Sequence, residues 1–313
     1  MTDITTKNFE TELIQASLKQ PVLLDIWAPW CAPCRTLGPT LEKLEKASGG
    51  RFKLVKLNSD DQPGIAGQLS QAFGVRSIPF CVLFDRGQPI DGFVGALPEA
   101  QVREFLDRHV PSEEELVAEA ELEQAEQLEA GGDVDAALAK LQQAVAIDPG
   151  NDAARCDWVK LLIETGRVAQ AKAAWEPVAA KAPLDARISA LGHWIAAIDA
   201  AAQARSPAAL EAAIAANRRD FAARFERAQT YFAAGQFTDA MDALLEIVMR
   251  DKAWNEEAAR KTYVAILELM SKPAPKSGPE QAKGALEVTG KQHAAGADPV
   301  VDQYRRKLSM ALF

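Results

Sequence analysis

Two cysteines lie two residues apart in the stretch DIWAPWCAPCRTLGP, residues 25–39, with Trp30 before them, Pro33 between them and Asp25 upstream. That spacing suits a dithiol–disulfide couple, half of a tetrahedral metal site, or two small residues packed in a core without chemistry. A redox cysteine needs a lowered thiol pKa and access to its target. The first turn of a helix supplies both, because its unpaired N–H groups and the helix dipole favour a thiolate, while a second cysteine one turn on is near enough to resolve a mixed disulfide. On this reading Cys31 is the nucleophile and Cys34 the resolver. Pro33 fits the first turn, where its missing N–H breaks no intrahelical bond. Trp30 would shield the pair and present an apolar surface to a client chain. A zinc site needs four ligands. The other cysteines, Cys81 and Cys156, are single, and His109, His193 and His293 are scattered, so no metal is expected. Cys81 in an apolar strand and Cys156 in a helix read as buried, inert thiols.

The elements that must position the pair alternate in type. Residues 21–27 form a short apolar run, Leu37, Leu41 and Leu44 give helical spacing over 37–47, and residues 52–57 make a second strand. After Gln62-Pro63-Gly64 come a helix through Phe73, a strand over 80–84, a turn at 85–88, a last strand and a helix over 99–109. Strand–helix–strand order followed by a hairpin and a helix implies an α/β domain with a mixed sheet, residues 1–110.

From residue 111 the character changes. Ser112 and Glu115 form a capping-box signature, and from there to about residue 270 no strand pattern appears. Residues 113–129 carry eight glutamates and no basic residue, the mark of a solvated helix face. Gly132 and Gly166, Ala137 and Ala171, Leu141 and Trp175, and Pro149 and Pro183 each recur 34 residues apart, and Gly235 with Ala240 repeats the glycine–alanine pairing. A 34-residue unit with a turn glycine, an alanine at a helix contact and a closing proline resembles the tetratricopeptide repeat, so residues 111–270 read as an all-α repeat domain. The unit between has Ser206-Pro207 as its turn. Residues 271–298, with SKPAPKSGPE, read as a linker or insertion. Residues 299–313 read as an amphipathic helix with Val301, Tyr304, Leu308 and Leu312 on one face beside Arg305, Arg306 and Lys307. That helix is either a cap on the last repeat or a detachable ligand for a partner's groove.

The balance of 35 basic against 44 acidic residues gives a net charge of −9, which removes the electrostatic basis for binding nucleic acid or an anionic membrane surface. The start, MTDITTKNFE, lacks a basic region followed by an apolar core, and no segment reaches the run of about 18 apolar residues that spans a bilayer. The expectation is therefore a cytoplasmic protein, where a close cysteine pair is more often catalytic than structural.

The stretches LLDIWAPWCAPCR, VKLNSDDQPGIA, FGVRSIPF and VGALPEAQVREFLD resemble, in order, the pattern of the thioredoxin family. The resemblance implies a thioredoxin fold, with Asp25 the buried carboxylate that accepts the Cys34 proton and Lys56 its charged neighbour. It further implies that Pro79 is a cis-proline whose loop lets Ile78 present backbone groups to an extended client, and that Gly95 permits close approach of another chain. Ala32 stands where that family has glycine and Phe80 where it has threonine; neither removes a reacting group. A thioredoxin domain fused to degenerate repeats and ending in YRRKLSMALF is in turn similar to the chaperedoxin (CnoX/YbbN) family. That resemblance implies a holdase that shields client cysteines through mixed disulfides and passes unfolded or oxidised clients to the GroEL chaperonin and the DnaK system. It places the chaperonin contact on Tyr304, Arg305, Arg306, Leu308 and Leu312, needs no cofactor, and leaves thioredoxin reductase as a candidate electron donor.

Overall fold

A computed structural model describes residues 2–271 and 298–312, which divide into two compact units at residues 116 and 117. The segment read as a linker falls almost wholly outside the described residues.

The first unit is built on five strands, β1 (Thr2–Asp3), β2 (Val22–Trp27), β3 (Lys53–Asn58), β4 (Phe80–Asp85) and β5 (Gln88–Val94), ordered β1-β3-β2-β4-β5. β2 is parallel to β3 and antiparallel to β4, so the sheet is mixed as the sequence implies. β2 and β4 are apolar on both faces because both faces are covered. Alternation sorts their side chains. Leu23, Cys81 and Leu83 join Leu37, Leu41 and Leu44 of α1 (Ala32–Ala47) and Val102, Phe105 and Leu106 of α3 (Glu99–Asp107). Val22, Leu24, Ile26 and Val82 pack on the other side with Ala66 of α2 (Pro63–Phe73) and Leu13 of a short helical turn, Glu10–Gln15. Asp25 shares the parity of Leu23, and Lys56 that of Leu54, which sends both under α1.

In the second unit every described element is helical. α4 (Glu113–Ala130) starts with the reciprocal bonds of a capping box: Glu115 N–H donates to Ser112 Oγ at 3.1 Å and Ser112 N–H to Glu115 Oε2 at 2.7 Å. Then follow α5 (Val134–Ile147), α6 (Asp152–Glu164), α7 (Val168–Trp175), α8 (Ala186–Ala201), α9 (Pro207–Ala216), α10 (Phe221–Ala233), α11 (Phe237–Val248), α12 (Trp254–Met270) and α13 (Pro299–Leu312). The repeat positions act as their spacing implies. Gly132, Gly166 and Gly235 all have φ between 71° and 83°, a left-handed turn that ends one helix before the next begins. Ala137, Ala171 and Ala240 are fully buried where paired helices touch. In the unit without the glycine, Ser206 Oγ accepts Ala209 N–H and Pro207 opens α9.

α13 packs on α11 and α12 through Val301, Tyr304 and Leu308. Tyr263 Oη donates to Tyr304 O at 2.8 Å, Tyr304 Oη donates to Asp242 Oδ2 at 3.1 Å, and Lys307 Nζ donates to Asp242 Oδ1 at 2.9 Å. Of the two readings of the terminal helix, the structure contains the docked one.

Candidate active site

The cysteine pair sits where β2 hands over to α1. Cys31 is the N-cap of α1, with extended backbone, and its Sγ accepts the Cys34 N–H at 3.2 Å. A sulfur holding that position meets the unpaired N–H groups of the first turn, which stabilise negative charge on it. Pro33 lies in that first turn. Cys31 and Cys34 are joined in a disulfide, S–S 2.07 Å.

The pair is less open than the sequence reading expects. Cys31 is 3% exposed and Cys34 4%, because the disulfide folds both sulfurs against Ala28 while Trp27 and Ile78 pack over them. The Ile78–Pro79 peptide is cis, and Gly95, at φ 90°, donates its N–H to Pro79 O at 2.8 Å, which ties the loop before β4 to the end of β5. Trp30 is 69% exposed, and its Nε1 donates to the Asp60 carboxylate at 3.1 Å. The indole therefore stands beside the pair as an anchored apolar plate.

Asp25 lies on β2, the strand that leads into the pair, on the face that α1 covers, and is 2% exposed. Desolvation pushes its carboxyl from 3.8 up to about 6, against the opposing pull of Lys56 and of a hydrogen bond from Cys81. Lys56 is the in-register neighbour of Asp25 on β3. Its ammonium is held by Glu42 Oε1 of α1 at 2.8 Å, and Glu42 in turn helps raise Asp25. Asp25 faces Cys81 across the β2–β4 ladder, and Cys81 Sγ–H donates to Asp25 Oδ1 at 3.8 Å. A carboxyl balanced near pH 6 in a dry site is suited to taking up a proton as a neighbouring thiol becomes a thiolate.

Of the residues expected at the site, Cys31, Cys34 and Ile78 pack together, with Trp30 and Pro79 their chain neighbours, and Asp25 and Lys56 pair on the sheet face under α1. Glu42, Cys81 and Asp60 touch Lys56, Asp25 and Trp30 respectively and carry no such signal in the sequence, since only strand register and helix packing bring them there. The terminal residues read as a partner contact divide by burial. Tyr304 and Leu308 are buried and Leu312 is half-buried, whereas Arg305 and Arg306 are exposed, Arg305 donating to Ser271 Oγ at 2.9 Å. Met310, on the same helix, is 74% exposed. Among the described residues no group of three metal-ligating side chains gathers, and no helix is long and apolar enough to cross a membrane.

The thioredoxin family model matches residues 1–108, and three tetratricopeptide repeat models match residues 99–152, 127–195 and 200–278. Thioredoxin 1 of Synechococcus elongatus is 38% identical over 107 residues, which is 34% of this chain and 94% of that protein. The thioredoxins of Chlorobaculum thiosulfatiphilum and Haemophilus influenzae are 41% and 40% identical over 108 and 107 residues, each again 34% of this chain and 94% of the relative.

Proposed function

Because the chain belongs to the thioredoxin family through residues 1–108 and continues into tetratricopeptide repeats, we propose that it is a chaperone-linked thiol–disulfide oxidoreductase, a chaperedoxin of the cytoplasm. The observation that carries the reading is the Cys31–Cys34 disulfide at the start of α1, with a buried carboxyl, Asp25, on the strand that leads into it. In the dithiol form the Cys31 thiolate attacks a client disulfide. One client sulfur leaves as a thiolate that takes up a proton, and the other is held as a mixed disulfide. Asp25 then accepts the Cys34 proton, and the Cys34 thiolate attacks Cys31 Sγ. The second client sulfur departs with its electron pair, and the pair returns to the disulfide. Two electrons have passed from the dithiol to the client, and an external dithiol donor such as thioredoxin reductase restores the reduced form. Trp30, Ile78 and Pro79 bind the client strand during this exchange, and Lys56 biases Asp25 towards its ionised form.

The repeats supply the holding function. Stacked helix pairs make an extended surface for unfolded segments, and a chain caught there has a raised effective concentration at Cys31. Clients pass on to GroEL and the DnaK system, with the chaperonin contact on α13, whose exposed Arg306 and Met310 are reachable while it is docked. Tyr304 and Leu308 take part only if it lifts away.

Aggregation of a heat-unfolded client tests the reading. The double variant Cys31→Ser, Cys34→Ser should still suppress aggregation while disulfide reduction is lost. Wild-type protein that reduces a disulfide yet leaves aggregation unchanged would instead make the repeats mere substrate selectors.

A further inference from the structure

The thiol of Cys81 is not needed by the exchange chemistry, yet it touches the carboxyl assigned to that chemistry, Asp25. The β2–β4 register places it directly across from Asp25, on the face covered by α1, with no exposure to solvent. Its Sγ lies 3.8 Å from Asp25 Oδ1. The other ionisable groups that act on Asp25 come from different elements, Lys56 on β3 and Glu42 on α1, and these two are paired with each other. Lys56 is thus shared with Glu42, whereas the Cys81 S–H points at Asp25. A buried carboxylate needs donors in proportion to its charge, and in a dry site even a weak S–H donor counts.

We infer that Cys81 is a positioning residue for the redox reaction: its S–H, delivered by β4, holds the Asp25 carboxylate in the orientation and charge state from which it receives the Cys34 proton. Burial and the adjacent carboxylate both push the Cys81 thiol well above its ordinary range, so it remains a protonated donor throughout the working pH range and never competes as a nucleophile. The inference rests on the oxidoreductase reading only for its kinetic half; the contact with Asp25 exists in the disulfide form itself.

The test compares Cys81→Val, which keeps the bulk and removes the donor, with Cys81→Ser, which keeps a donor, in the full-length chain. Carbon NMR titration of the Asp25 carboxyl in the disulfide form reads the contact directly. The pH dependence of insulin reduction, with dithiothreitol as electron source, reads its use. Loss of the donor should raise the Asp25 midpoint and shift the acid limb of the rate profile upward by about half a pH unit, whereas serine should hold both at or below the wild-type position. A structural role predicts the opposite ranking in stability, since an unmatched hydroxyl in an apolar layer disturbs packing more than valine does. Midpoints identical in wild type, Cys81→Val and Cys81→Ser overturn the inference, and so does a shift that follows loss of stability in both variants. Absence of insulin reduction by wild-type protein would sink the oxidoreductase reading alone, with the NMR midpoints still deciding the Cys81 contact. Should Cys81→Val fail to fold, Cys81→Ala carries the same comparison with a smaller side chain.

Discussion

At the scale of single residues, Asp25 sets a conflict between stability and reactivity. Its folded-state value of about 6 lies above the ordinary 3.8, so the folded protein binds this proton more tightly than the unfolded chain does. The stabilisation is fully present below pH 3.8 and is lost as pH rises through about 6. At neutral pH the buried carboxylate therefore stands as a cost of up to about 3 kcal/mol. Asp25→Asn in the disulfide form should slow hydrogen exchange of the β2 and β4 amides at pH 7.5, with the gain vanishing near pH 4. The same variant should lose the acid limb near pH 6 and reduce client disulfides roughly 10-fold or more slowly at neutral pH, read by a stopped assay. The cysteine pair is legible in the sequence because its spacing in the chain is itself the signal, whereas Asp25 and Pro79 are legible only through the resemblance to the thioredoxin family. Cys81 reads as inert core because its neighbour is 56 residues away and only the register of an antiparallel ladder reveals it. Glu42 is lost among the charged residues of a helix for the same reason.

At the scale of elements, α1 begins at a sulfur, and the repeat helices are spaced by residues too small to hold them apart. Gly192 in α8 is the tightest case: a Cβ there would meet Trp175 Cζ2 at 2.7 Å. The ring cannot swing aside freely, because Trp175 Nε1 donates to Ile188 O at 3.0 Å. Alanine in a helix gains up to about 1 kcal/mol in propensity, while overpacking costs about 1 to 3 kcal/mol. Gly192→Ala should therefore lower the denaturation midpoint of the repeat unit despite alanine's better propensity, and combining it with Trp175→Leu should give a non-additive, smaller loss. The 34-residue period makes the repeats readable as helix pairs, and the capping box fixes where α4 starts. The fate of α13 is not readable, since an amphipathic pattern describes a docked helix and a detachable one equally well; the carbonyl of Tyr304 and the carboxylate of Asp242 decide it.

At the scale of the whole molecule, α13 is both a structural cap and the segment assigned to partner contact, and the two roles need separate experiments. Deleting residues 299–313 would strip Val301, Tyr304 and Leu308 from α11 and α12 and leave the hydroxyl of the fully buried Tyr263 without its acceptor. That truncation should destabilise the repeat unit by several kcal/mol, so loss of a chaperonin partner on truncation proves little. Arg306→Glu with Met310→Glu alters only exposed positions and should leave the thermal midpoint within about 1 °C while weakening chaperonin capture at least 10-fold. Unchanged capture would remove the docked helix from the handover.

The placement of the six tryptophans has a practical consequence. Trp27 packs against the disulfide and Trp30 directly precedes Cys31 in the chain, while Trp158, Trp175, Trp194 and Trp254 all lie in the helical unit. A disulfide quenches an excited indole packed against it, so opening the bond should brighten Trp27 and raise the emission of the protein. The protein thereby carries its own optical gauge of oxidation state, readable without dye or label.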